Sequence, residues 1–121
     1  MIKNLLLVAA GGAAGSMLRY LVSFFTSRYF NGLFPLATFL VNMAGCFLIG
    51  VFIGLYTANN DNQAIRMLLI TGFCGGFTTF SAFSFENLTM INEGNILAAL
   101  GYIFASVVLG CAAVWLGLKI T

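Results

Sequence analysis

The chain has 121 residues, of which 61% are hydrophobic and only 7% charged, with a net charge of +2 and a mean hydropathy of +1.04. About a quarter of the residues in an ordinary soluble domain are charged, so this composition excludes one and defines an integral membrane protein. The basic residues stand singly, which leaves no cluster for nucleic acid. With no histidine and no nucleophile beside a base, an enzyme is not expected.

Three polar turn clusters divide the sequence: Asn31-Gly32 with Pro35 just beyond, Asn59-Asn60-Asp61-Asn62, and Asn92-Glu93-Gly94-Asn95. Between them lie apolar segments near 4–29, 36–58, 64–91 and 95–119, each meeting the need of about 20 residues for a spanning helix. The expectation is therefore an all-α, single membrane domain over residues 1–121, with four transmembrane helices. Short connections make neighbouring helices antiparallel. No small-residue cleavage site leads into a polar domain, so the first segment reads as a span and not as a cleavable signal. If the N-terminus is cytoplasmic, Lys3, Arg66 and Lys119 lie inside and Arg28 outside. A charge bias this small sets orientation poorly, which raises the prospect of insertion both ways round.

In the first segment, Arg19 falls inside the apolar run. A charge at the bilayer centre costs at least ~2.5–3.5 kcal/mol, but Arg19 is close enough to the end to snorkel. It is a candidate for a vestibule that concentrates anions, with Glu86 as its partner or as an interface residue. In the second segment, Asn42 is the only deep carboxamide, one turn after Thr38. Its N–H groups suit a passing anion because they attract without charge; interhelical bonding is the other reading. The pairs Gly11/Gly15, Gly50/Gly54 and Gly72/Gly76 have the spacing that lets helix backbones approach closely.

The third segment holds the main anomaly. Its 28 or so residues would run roughly 42 Å as a continuous α-helix, well beyond the ~30 Å hydrocarbon core. It contains Gly72, Gly75, Gly76, Thr78 and Thr79, all weak helix formers. A break near 75–79 is expected, exposing carbonyls fit for a cation and amides fit for an anion. A glycine-rich packing face on an unbroken helix is the alternative. Phe80 and Phe83 share one face, and their ring edges would attract an anion weakly, although lipid contact or core packing would also explain them. Ser81 and Ser84 share another face. In the fourth segment, Tyr102 and Ser106 stand one turn apart. Cys46, Cys74 and Cys111 lie far apart with no CxxC pair and read as buried apolar thiols.

Taken together, Gly11-Gly12-Ala13-Ala14-Gly15 with Leu18-Arg19-Tyr20, Thr38-Phe39-Leu40-Val41-Asn42 with Gly45, and above all Gly72 to Phe83, resemble the Fluc (CrcB-type) fluoride channels over nearly the whole chain. The resemblance implies an antiparallel, dual-topology homodimer in the bacterial inner membrane. It implies two fluoride pores per dimer and a central structural sodium ion. By motif position the sodium would be held by backbone carbonyls of Gly75 and Thr78. Asn42, Phe80 and Phe83 match pore residues, with Ser81 on the polar track and Thr38, Tyr102 and Ser106 associated with it. Arg19 matches a vestibule arginine and Glu86 the glutamate after the aromatic motif. The chain departs from the pattern at Ala82, where threonine is frequent, and at Gly110, where a serine would extend the track. The implied activity is passive export of cytoplasmic fluoride, conferring fluoride resistance. A small four-span, proton-coupled multidrug or cation exporter is the competing reading; it would need a membrane-embedded carboxylate.

Overall fold

A computed structural model describes all 121 residues, and it contains helices only. Helix α1 runs Ile2–Tyr29 and α2 Leu36–Ala58. The third span opens with a short α3, Gln63–Ile65, whose start is capped by Asn62 accepting from the Ala64 N–H at 2.9 Å. It continues as a π-helical stretch, Arg66–Cys74, and a single turn α4, Gly75–Phe77. After the extended residues Thr78 and Thr79 it resumes as α5, Phe80–Asn92, and α6 covers Ile96–Ile120. Four helical spans, the third running Gln63–Asn92, are long and apolar enough to cross a membrane. The chain is a multi-pass membrane protein.

The turn clusters act through left-handed backbone. Gly94, at φ +83, lets the Gly94 and Asn95 N–H groups close onto the Ile91 and Met90 carbonyls and end α5. Asn60, at φ +56, does the same for α2, where the Asp61 N–H reaches the Tyr56 carbonyl. Asparagine tolerates this conformation better than most residues.

Helix contacts are made by backbone meeting backbone. Helix α1 packs on the first half of the third span, and α2 packs on α6. A methyl group on Gly11 would collide with the Leu68 carbonyl, and one on Gly72 would lie 2.9 Å from the Val8 carbonyl. The same holds where Gly50 of α2 meets Gly117 of α6. Without water inside the bilayer to drive association, such close van der Waals approach is the main source of helix adhesion. The buried set is small and includes Val41, Phe77, Met90, Ala99 and Tyr102, while large apolar residues such as Leu97 and Phe104 face outward. In water that exposure would be an aggregation hazard; in a bilayer it is the lipid-facing coat.

These contacts give an ordered pair of outcomes. Gly117→Ala sets a Cβ against the Phe47 carbonyl, where backbone must move, and is expected to cost about 1–3 kcal/mol. Gly54→Ala meets the side chain of Thr121 and no backbone atom among its nearest neighbours, and should cost less. Thermal unfolding followed by gel filtration in detergent would rank the two, and equal losses would refute the packing account.

The break falls where the glycines and threonines predict it, and the unbroken-helix alternative is ruled out. The structure adds a departure the sequence did not signal: a widened ladder from Arg66 to Cys74, upstream of the break. Extended π-helix is rare and recurs near functional sites.

Candidate functional site

The geometry of the break is set by three side chains. Thr78 and Thr79 take extended conformations, at φ/ψ −83/158 and −147/118. In an unbroken helix the Thr79 N–H would bond the Gly75 carbonyl. Instead it donates to Asn42 Oδ1 at 2.9 Å, and Asn42 Nδ2 returns a bond to the Thr79 carbonyl at 3.2 Å. A backbone N–H can only donate, which fixes which way the Asn42 amide points. The Ala82 N–H, which would bond the Thr78 carbonyl, goes to Thr79 Oγ1 at 3.2 Å, so Thr79 caps α5. Thr78 Oγ1 turns back to the Cys74 carbonyl at 2.8 Å.

The carbonyls of Gly75 and Thr78 have thus both lost their helical donors. They are neutral, hard oxygen ligands at the C-terminal, negative end of a half-helix, and that chemistry fits a small hard cation. The Gly76 carbonyl between them is already taken, accepting from Arg19 Nε at 3.0 Å.

Beside the break lies an open cavity of about 530 Å³. Its lining includes Asn42, Gly75, Thr78, Phe80, Phe83 and Ser106, and no charged residue. The Ser106 hydroxyl is buried and has no hydrogen-bond partner. Asn42 keeps a second amide N–H beyond the one given to Thr79. Phe80 is 79% exposed, and its ring centroid lies 5.9 Å from that of Phe83. Phe83 in turn packs against Tyr102 at 4.9 Å, within a cluster that includes Phe34 and Phe39.

A second cavity of about 350 Å³ is lined by Arg19, Thr38, Thr79 and Glu86, among others. Glu86 accepts from Thr38 Oγ1 at 2.6 Å and from the Tyr102 hydroxyl at 3.0 Å. The expected pairing of Arg19 with Glu86 does not form. The guanidinium bonds the Gly76 carbonyl and the carboxylate has taken two hydroxyls, although both residues face the same cavity. Tyr102 and Ser81 line neither cavity. Tyr102 is 1% exposed and reaches the site through its bond to Glu86 and its packing on Phe83. Ser81 is exposed, its hydroxyl 3.1 Å from Thr79 Oγ1.

Two polar residues here were missed in the sequence reading. Thr79 both caps α5 and is gripped by Asn42; a threonine opening an apolar run after a glycine-rich stretch is a legible cap signal. Asn87 is 6% exposed, donates to the Phe83 carbonyl at 2.9 Å and leaves Oδ1 without a partner. Nothing in its local sequence marks it out.

Four spans, a broken third helix and an uncharged, aromatic-edged cavity beside a charged one define a small multi-pass membrane protein built around a helix break. The chain matches the family model described as "CrcB-like protein, Camphor Resistance (CrcB)" over residues 6–118, and it belongs to that family. It is 46% identical over 122 residues to a protein of Azobacteroides pseudotrichonymphae, covering 100% of this chain and 98% of that one. Similar relatives occur in Flavobacterium psychrophilum, 48% identical over 98% of this chain and 96% of the relative, and in Rhizobium etli, 52% identical over 95% and 93%. All three relatives bear the name "Fluoride-specific ion channel FluC".

Proposed function

We propose that this chain is a passive fluoride channel which lets cytoplasmic fluoride leave the cell and so confers fluoride resistance. The observation that carries the reading is the larger cavity, where an amide, a free hydroxyl and two phenylalanine rings converge with no charged side chain among the lining residues. The names of the relatives give the ion. Fluoride is small and strongly hydrated, so its path must replace water with donors that attract it without trapping it.

In this reading the remaining Asn42 N–H, the Ser106 hydroxyl and the edges of Phe80 and Phe83 form successive contacts for the anion. Thr38, Tyr102 and Ser81 support that track through their bonds to Glu86 and Thr79. Arg19 concentrates anions in the smaller cavity. The functional unit is a homodimer of antiparallel copies in the bacterial inner membrane, with two pores. A sodium ion at its centre would be held by the Gly75 and Thr78 carbonyls of both copies, supplying a fixed charge that ties the breaks together. A proton-coupled exporter would need its carboxylate in the substrate path, whereas Glu86 lies outside the larger cavity and has both oxygens engaged.

Efflux from proteoliposomes, followed with a fluoride-selective electrode, tests the proposal. Fluoride should leave far faster than chloride, without a proton gradient. No fluoride efflux, or equal rates for the two ions, would defeat it. Phe80→Ile removes the ring edge but keeps an apolar side chain, and should slow efflux about two- to tenfold, matching the ~0.5–1.5 kcal/mol scale of an aromatic contact.

A further inference from the structure

Three sulfur-bearing residues from two parts of the sequence line the larger cavity. Met43 and Cys46 stand one turn apart on α2, and Cys74 closes the π-helical stretch. The first two meet at Gly110 of α6, where an added Cβ would lie 3.5 Å from Met43 Cε and 3.4 Å from Cys46 Sγ. All cysteines are free thiols. The third, Cys111, is exposed and is not among the residues that line the cavity. The same lining offers no carboxylate and no imidazole, so hard or borderline cations find no charged oxygen or ring nitrogen among these side chains. Polarizable thiol and thioether ligands select soft ions of the copper(I) class. Methionine adds an unbranched side chain that can reorient toward a ligand at little cost.

We propose that Met43, Cys46 and Cys74 form a binding site for a soft monovalent cation of the silver or copper(I) class. When a thiol takes the ion, the S–H bond breaks, a sulfur–metal bond forms and the proton leaves to solvent. The Met43 thioether ligates without losing a group, and no electron is transferred. The site draws α2 and the first half of the third span together, one residue from Asn42 and four residues before Thr78.

Silver is the probe, offered in chloride-free nitrate buffer to the purified full chain carrying Cys111→Ser, which removes the exposed competing thiol. After desalting, metal analysis should find about one silver retained per chain. Adding Cys46→Ser and Cys74→Ser should reduce retention at least about tenfold, and Met43→Leu should weaken it by a similar factor, since losing a direct ligand costs no less than losing the groups that orient it. Met43→Leu conserves volume and keeps the test decisive if the serine variants fail to fold, which gel filtration would reveal. Loss of all silver in Cys111→Ser alone, undiminished retention in the double serine variant, or unaltered affinity in Met43→Leu would each overturn the three-sulfur site. The measurement needs no fluoride transport, so its outcome is separate from that of the channel reading.

Discussion

Asn42→Asp is expected to lower fluoride efflux by at least about three orders of magnitude. The substitution acts twice at one place. Asn42 holds the Thr79 backbone from both sides, accepting from its N–H and donating to its carbonyl. Aspartate keeps the acceptor but replaces the donor with a second oxygen, facing the Thr79 carbonyl at the 3.2 Å formerly bridged by a hydrogen bond. A buried carbonyl left without its donor costs about 1–3 kcal/mol. A fixed negative charge about 4 Å from a passing anion adds roughly 4 kcal/mol at an effective dielectric constant of 20. The charge term alone, about 4 kcal/mol, slows passage roughly a thousandfold, and the lost donor adds to that loss. Asn42→Ala removes the grip on Thr79 without adding charge, and should cost only about 5- to 150-fold, the ratio corresponding to 1–3 kcal/mol. The difference between the variants isolates the electrostatic part. If aspartate leaves efflux within tenfold of the parent, Asn42 does not line the path.

The contrast between Asn42 and Thr79 explains how much of the site was readable in the chain. The four spans were legible because charges fall almost entirely at their ends, and the break because three glycines and two threonines crowd a segment too long to span straight. Asn42 could be singled out because a carboxamide deep in an apolar run is costly and conspicuous. What it touches could not be read, because that depends on the register between α2 and a break 37 residues later in sequence. The pairing of Arg19 with Glu86 failed for a related reason. Opposite charges predict attraction, but in the folded chain the Gly76 carbonyl and the hydroxyls of Thr38 and Tyr102 reach these groups first. The π-helical stretch had no sequence signature, since Met67, Leu68, Leu69 and Ile70 serve an α-helix equally well. That Met43, Cys46 and Cys74 line one cavity was hidden in the same way: cysteine spacing finds local metal motifs, not residues brought to one cavity by helix packing.

Removing sodium should abolish most of the fluoride efflux, and Gly75→Leu should reproduce that loss without unfolding the single chain. The break frees two carbonyls per chain, those of Gly75 and Thr78, from their helical donors. Hard cations ordinarily gather about six oxygens, so one copy's two carbonyls are too few; in the proposed dimer a second copy would bring the count to four. Gly75 itself is exposed, and a Cβ there would meet nothing within 4 Å inside the chain. That openness contrasts with Gly72 and Gly76 on the same half-helix, where added carbon would crowd α1. A leucine at Gly75 therefore carries little steric penalty in an isolated chain, but would stand between two copies if their breaks meet there. The expected result is an unchanged helical signal, loss of the dimer on gel filtration and an efflux decrease of at least about tenfold, the factor for each 1.36 kcal/mol. Exchanging sodium for a bulky organic cation during purification should produce the same fall in the parent, reversed when sodium is restored. Gly75→Leu dimers with normal efflux would place the copies' contact elsewhere. Sodium-independent efflux would show that the two freed carbonyls do not depend on sodium to keep the break in its conducting form.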